Sequence, residues 1–308
     1  MKATLTDERF SDPDWVFEPK LDGVRAIAVR DGEDVQLLSR NRKTMNASYP
    51  ELVDAIGGLD RDRFVVDGEI VAFEGARTSF ERLQGRMNLQ DPGRARRTGI
   101  PVYVYLFDLL HLDGYATTQL PLRTRKTMLK QAWRFDDPVR FGTHRNEHGK
   151  RYFDEACRQG WEGLIAKRAD SLYRPGTRSR DWLKLKCVER QELVIGGFTD
   201  PRGSRTGFGA LLVGYYDDGR LRYAGKVGTG YDEATLVQMR DTMDRLERDA
   251  SPFDDDVAEK GAHFVRPELV CEVVFTEWTE DGKLRHPRFL GLRDDADPCD
   301  VVRERPTR

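Results

Sequence analysis

Histidine and cysteine are scarce in this 308-residue sequence, five and four in all. Cys157, Cys187, Cys271 and Cys299 stand far apart and form no C-x-x-C pair, so neither a zinc site nor a redox dithiol is encoded, and reduced, packed thiols are expected. His144 and His148 are spaced to share a helix face, but the intervening "RNE" lacks the H-E-x-x-H pattern; both are expected at the surface. No apolar run approaches the roughly 20 residues needed to cross a bilayer. The start, "MKATLTDERFSD", has no apolar core of a secretory signal, so a soluble, cytoplasmic protein without membrane contact is expected. An excess of one charge is also missing: 51 Lys and Arg face 53 Asp and Glu, for a net charge of -2. Bulk charge therefore does not announce a polyanionic partner, and any nucleic-acid footprint has to be local.

What is present divides the chain. Its length exceeds the usual size of one domain, and its character changes near residue 190. Before that point "VQLLSR", "RFVVDGEIVAF" and "VYVYLFDLLHLDG" read as strands, mixed with helical segments such as the basic "RTRKTMLKQAWRF". After it come "ELVIGGFT", "GALLVGYY" and "RLRYAGKVGTG", a helix in "DEATLVQMRDTMDRLERD", then "ELVCEVVFTEWT" and "RFLGLR". Three strands, a helix and two strands are the elements of an OB barrel. The helix rests on Leu236, Met239, Met243 and Leu246 at three- and four-residue steps, with Asp232 as N-cap. The expected fold is α+β, with one domain over 1–188 and a five-stranded OB-fold β-barrel over 189–308.

The stretch "WVFEPKLDGVRAIAV", Trp15 to Val29, places Lys20 beside an Asp-Gly turn between two alternating apolar and polar segments. Such flanks fix the side chain at their junction. A lysine attacks phosphorus only as the neutral amine, and its reference pKa of about 10.4 keeps it charged unless burial or nearby cations lower it. Arg25 follows on the next strand, and Lys184 and Lys186 alternate in "WLKLK", so both point to one side of a strand. A divalent cation would act in the same direction. K-x-D-G alone, however, reads more readily as a surface lysine beside a turn.

Further segments follow in a definite order. "LLSRNR" carries Arg40, "VVDGEIVAF" Glu69, "YLFDLL" Phe107 and "WEGLIAKR" Glu162 and Lys167, before "WLKLK". Together with "FEPKLDGVR" these resemble the motifs of the covalent nucleotidyltransferases, the superfamily of ATP-dependent DNA ligases, RNA ligases and mRNA capping enzymes. The resemblance spans nearly the whole chain, because "PELVCEVVFTEWTEDGKLRHPRFLGLRDD" is similar to the OB strands and C-terminal motif of ATP-dependent DNA ligases. "SFERLQGRM" and "YRPGTRSRDWLKLK" look most like the ligase domain of bacterial and archaeal end-joining repair ligases.

The resemblance implies a nucleotidyltransferase domain, ATP-grasp-like, and makes Lys20 the nucleophile that attacks ATP and carries AMP as an intermediate. It matches Glu18 to adenine recognition, Phe107 to stacking on adenine, and Arg25, Arg40, Lys184 and Lys186 to ribose and phosphate contacts. Glu69 and Glu162 become ligands of Mg²⁺ or Mn²⁺, Glu69 alternatively a partner of the ribose, and Asp22 a catalytic residue that supports the turn and orients Lys20. In the C-terminal R-x-D-K motif, Arg293 and Asp295 match residues that orient pyrophosphate. Ala296 replaces the lysine, so that either Arg288 substitutes or lysine adenylylation is slower. Only nineteen residues precede Lys20, which leaves no room for the extra domain of NAD-dependent ligases; ATP is the expected donor.

The expected partner is nicked or broken double-stranded DNA, held by Arg94, Arg96 and Arg97 of "GRARR" and Arg174, Arg178 and Arg180 of "RPGTRSR". A Ku-type end-binding protein and a separate polymerase are further partners that the likeness suggests for a nucleoid-associated monomer. Three readings stay open: a DNA ligase, an RNA ligase or guanylyltransferase, and a nucleic-acid-binding OB protein with a relict catalytic half.

Overall fold

A computed structural model describes residues 1–201, 203 and 205–306. The chain separates into two compact units, Met1–Cys187 and Val188–Glu304. The strands of the first unit include Lys2–Leu5 (β1), Trp15–Pro19 (β2), Val24–Asp31 (β3), Asp34–Leu38 (β4), Arg63–Val71 (β5), Tyr103–Leu112 (β6), Val139–Phe141 (β7), Arg145–Asn146 (β8), Gly163–Arg168 (β9) and Arg178–Lys186 (β10). Its longer helices are Pro50–Gly57 (α1), Leu122–Ala132 (α2) and Gly149–Arg158 (α3). One sheet has the order β1-β10-β9-β2-β8, and the other β7-β6-β5-β3-β4. β1 runs parallel to β10 and β7 parallel to β6, while the other neighbours are antiparallel.

Period-two alternation gives each sheet an apolar and a polar face. In β3, Val24, Ala26 and Ala28 are buried with Leu37, Val66 and the α1 residues Leu52 and Ile56, which turns Arg25 to the other side. In the other sheet Phe17, Leu164, Ala166 and Leu185 pack under Tyr152, Phe153 and Ala156 of α3. Burying a large apolar side chain of this kind contributes roughly 1.5–3 kcal/mol. Both sheets thus give one face to a core, while the opposite face carries polar residues such as Glu18 and Arg25 beside buried apolar ones such as Val16 and Trp182.

Two expectations about cysteine and histidine change. Cys157 of α3 and Cys187, just after β10, form a disulfide, so these two thiols are not reduced; Cys271 is buried and free, and Cys299 exposed and free. Thirty residues separate the bonded pair in sequence, and only the packing of α3 on the β9–β10 face brings them together. His144 and His148 flank β8 rather than sharing a helix. The His144 ring is half-buried, and burial together with the Lys126 ammonium pushes its pKa down to about 4.

The second unit contains Arg190–Thr199 (β11), Leu211–Asp217 (β12), Arg220–Val227 (β13), Glu233–Asp244 (α4), Glu247–Arg248 (β14), Ala262–Val274 (β15) and Arg288–Leu292 (β16). Asp232 caps α4, its Oδ1 accepting from the Thr235 N–H at 2.7 Å. Leu236, Met239 and Met243 are buried against the sheet, as their spacing predicts. The sheet order is β13-β12-β11-β15-β14, with β16 also on β15. The expected barrel does not close: among the described residues no ladder joins β13 to β14 or β16. The strands beyond β15 are two and five residues long, too short to carry a continuous ladder round to β13.

Candidate active site

Three rows of residues cross β2, β9 and β10 in register. They are Val16–Lys167–Trp182, Glu18–Ile165–Lys184 and Lys20–Gly163–Lys186, the last fastened by the Lys20 N–H donating to the Gly163 carbonyl at 2.9 Å. Residues in register, and alternate residues along a strand, share a face. Glu18, Lys20, Lys167, Lys184 and Lys186 therefore lie on the face opposite α3. From the second sheet, Arg25, Glu69 and Tyr105 form a row across β3, β5 and β6. Phe107 falls at a register shift: Asp67 pairs with Asp108 and Gly68 with Leu106, so Phe107 is the extra residue of a bulge, a device that re-aims a side chain.

Between these faces opens a cavity lined by Glu18, Lys20, Arg25, Glu69 and Phe107. Its walls also include residues to which no role was assigned from sequence: Tyr105, Gly142, Thr143, Ile165, Lys167 and Trp182. Lys167 and Ile165 stand inside the quoted "WEGLIAKR", whereas Thr143 carries no sequence signal. Two glycines let the walls approach. A Cβ on Gly23 of K-x-D-G would lie 2.2 Å from the Ile70 carbonyl oxygen, and one on Gly163, whose φ is 149°, would lie 1.9 Å from that of Leu185.

Lys20 Nζ lies 2.5 Å from Glu162 Oε1, with the lysine side chain 22% exposed and that of the glutamate 4%. Beside the cations expected from sequence, the amine therefore has a carboxylate as its immediate partner. Arg25 is also not a free cation. Its Nε donates to Asp67 Oδ1 at 2.9 Å, its Nη2 to Asp67 Oδ2, and its Nη1 to the Met1 carbonyl. Tyr173 donates to the same Asp67 carboxylate at 2.8 Å. Burial would raise the Asp67 pKa, but the Arg25 guanidinium outweighs it and holds the group below the usual carboxylate range. Asp67, two residues before Glu69 in "VVDGEIVAF", thereby sets the direction of Arg25.

Glu18 is buried, and Lys126 Nζ and Lys167 Nζ each lie 2.7 Å from one of its oxygens. Burial pushes its pKa up, yet the two ammoniums outweigh burial and hold it low, so Glu18 is ionised. Lys167 also sits 4.1 Å from the centre of the Phe107 ring and 4.0 Å from that of Trp182.

The remaining sequence candidates are dispersed. Asp22 is buried in the turn after Lys20, its N–H donating to Thr78 Oγ1 at 3.0 Å. Arg40 is exposed on the loop after β4 and does not line the cavity. Arg94, Arg96 and Arg97 are exposed on the short helix Pro92–Arg97, where Arg96 pairs with Asp54 at 2.7 Å. Arg174, Arg178 and Arg180 are exposed at the start of β10 and just before it, with Arg178 donating to the Ala3 carbonyl at 2.6 Å.

In the second unit Arg293 grips Asp295 through Nε and Nη2, both at 3.0 Å, and reaches Glu272 at 3.2 Å. Ala296 is 8% exposed and belongs to the unit's apolar core. A lysine at this position would not simply restore a missing phosphate contact, as the motif comparison suggests. Ala296→Lys is expected to destabilise the protein by at least about 1–3 kcal/mol, because a longer, charged side chain must enter packed space. Thermal melting checks this; an unchanged midpoint would mean that the position has room for the chain.

A cavity with a lysine and two glutamates at its wall is a candidate nucleotide site. Residues 2–186 match the family model "ATP dependent DNA ligase domain", and residues 204–296 match "ATP dependent DNA ligase C terminal region". The chain belongs to the ATP-dependent DNA ligases. It is 39% identical over 302 residues to the multifunctional non-homologous end joining protein LigD of Pseudomonas aeruginosa, covering 95% of this chain and 35% of that protein. With a DNA ligase of Thermococcus onnurineus it shares 31% identity over 304 residues, 92% of this chain and 52% of that one. A solved structure of mycobacterial DNA ligase D complexed with ATP and MES matches with a TM-score of 0.67 at 33% identity, covering 98% of both chains. The chain thus spans between about a third and a half of the length of these curated relatives.

Proposed function

We propose that this chain seals 3′-hydroxyl and 5′-phosphate ends in double-stranded DNA in three steps. Lys20 Nζ, once deprotonated, attacks the α-phosphorus of ATP; an N–P bond forms, the P–O bond to pyrophosphate breaks, and AMP remains on the lysine. AMP then passes to the 5′-phosphate of the break, and the 3′-hydroxyl displaces it. The observation that supports this reading most is the placement of Lys20, paired with Glu162, on the wall that also carries Glu18 and Phe107. Phe107 offers a ring to an adenine and Glu18 an ionised acceptor.

Glu162 and Glu69 are the carboxylates that would hold Mg²⁺ or Mn²⁺. Their oxygens suit a hard cation bound through one or two carboxylates plus substrate phosphates. Such a cation, when bound, screens the phosphates under attack and engages the negative charge that otherwise pairs with Lys20.

The relatives' names favour a place in end-joining repair; a cytoplasmic setting, a Ku-type end-binding protein and a separate polymerase as partners, and a monomeric ligase unit are further parts of the proposal. A ligation assay on nicked, cohesive and blunt duplexes, each with ATP or GTP, tests the reading. ATP-dependent joining of at least the nick is expected, and joining of RNA alone, or GTP as the only donor, would overturn it.

The six exposed arginines are proposed to contact DNA phosphates. Replacing either "GRARR" or "RPGTRSR" arginines with glutamine is expected to weaken nick binding and flatten its dependence on salt, by a slope of roughly 0.9 per lost contact, while lysine adenylylation stays nearly intact. An unchanged slope would return these arginines to the solvated surface.

A further inference from the structure

Lys126 lies outside every motif, on α2, and its ammonium is fully committed. It donates to Glu18 Oε1 at 2.7 Å, to the Phe107 carbonyl at 3.2 Å and to the Gly142 carbonyl at 3.2 Å. An ammonium has three N–H donors, so each of the three ends on a different wall residue of the cavity. The side chain is 2% exposed. α2 is itself anchored, since Arg125 grips the buried Asp108 carboxylate with Nε and Nη2 at 2.7 and 2.9 Å.

We propose that Lys126 is a positioning residue for base selection: with Lys167 it fixes the Glu18 carboxylate as an edge that can only accept, which selects a purine carrying a 6-amino donor. The proposal rests on the adenine-nucleotide reading above and deepens it. A carboxylate has about four acceptor sites on its two oxygens; Lys126 takes one on Oε1 by a hydrogen bond and Lys167 pairs with Oε2 at 2.7 Å as a counter-ion, which leaves acceptor capacity for the cavity. A 6-amino group can donate to them. A 6-oxo group would oppose one acceptor with another and leave both unsatisfied, which is the costly case. Because Lys126 also holds the Phe107 and Gly142 backbone, its removal frees the acceptor and the wall beside it together.

The test compares single-turnover labelling of the full chain with ATP and with purine riboside 5′-triphosphate, which lacks only the 6-amino group. Wild type is expected to favour ATP by about tenfold to a hundredfold, the worth of one hydrogen bond to a charged group. Lys126→Met is expected to lower this ratio at least tenfold because the loss on ATP exceeds the loss on the nucleotide without the amino group, with Lys126→Arg intermediate because a planar fork cannot meet the same three acceptors. An equal loss on both nucleotides, leaving the ratio unchanged, would overturn the proposal and make Lys126 structural. If the Met variant does not fold, Lys126→Arg carries the test: a ratio at least threefold below wild type is expected, and the wild-type ratio would overturn it. Wild type that labels with both nucleotides equally would also overturn the proposal while leaving the ligase reading intact. Wild type that labels with neither would instead sink the ligase reading.

Discussion

Lys20→Ala is expected to leave no AMP on the protein after incubation with α-labelled ATP and Mg²⁺, and to abolish sealing of an ordinary nick. The wild-type adduct should be stable to base and cleaved by acid, as a phosphoramidate is. One other amine reaches the same cavity, and its surroundings argue against substitution. Lys167 is buried, lies 2.7 Å from Glu18 and sits against the Phe107 and Trp182 rings, so moving it to a phosphate would strip Glu18 of a counter-ion. Lys20 is 22% exposed and at the cavity wall. A nick that already carries AMP on its 5′-phosphate should still be joined by Lys20→Ala, because the lysine has no bond left to make. That retained step shows that the variant is folded and that the loss is chemical. Full labelling of Lys20→Ala would remove the lysine as nucleophile and, with it, the proposed reaction sequence.

The parts of the fold that were legible in the sequence are those set by local periodicity. Alternation in "VRAIAV" separates the buried Val24, Ala26 and Ala28 from Arg25, and the Leu and Met stripe with Asp232 defines α4. Features that depend on long-range register were not legible. The aim of Phe107 comes from a bulge opposite Asp67 and Gly68, which no pattern within "YLFDLL" reveals. The Cys157–Cys187 bond and the open sheet of the second unit likewise depend on what packs or pairs at a distance. Lys126 read as one more cation of a basic amphipathic helix, and nothing local distinguishes it from Lys130, which is exposed while Lys126 is buried. Ordered motifs located the neighbourhood of the site; the ion pairs that decide its charge, Lys20 with Glu162 and Arg25 with Asp67, emerge only when strands are laid beside one another.

Arg293→Ala is expected to slow formation of the lysyl-AMP adduct by about 10²–10³-fold, the usual cost of removing one donor from developing charge, and to spare joining of a pre-adenylated nick. Pyrophosphate leaves only in the first step. Arg293 is held by Asp295, Glu272 and Glu192, its side chain 12% exposed, and these carboxylates keep it charged, with its pKa raised well above the ordinary value in spite of burial. To act on pyrophosphate it must exchange part of this carboxylate shell for phosphate oxygens, a substitution that a guanidinium fork can make in kind. The same shell creates the competing explanation. Without Arg293 three carboxylates face one another, and breaking a buried pair costs about 3–5 kcal/mol, so the alanine variant could fail through its fold alone. Arg293→Lys separates the two causes, because it keeps a cation among the carboxylates but loses the fork. It should melt closer to wild type than Arg293→Ala does and still show slowed adenylylation with normal joining of the pre-adenylated nick. If both steps fall together in Arg293→Lys, or if adenylylation recovers fully, the arginine holds the second unit together and its assignment to pyrophosphate is wrong.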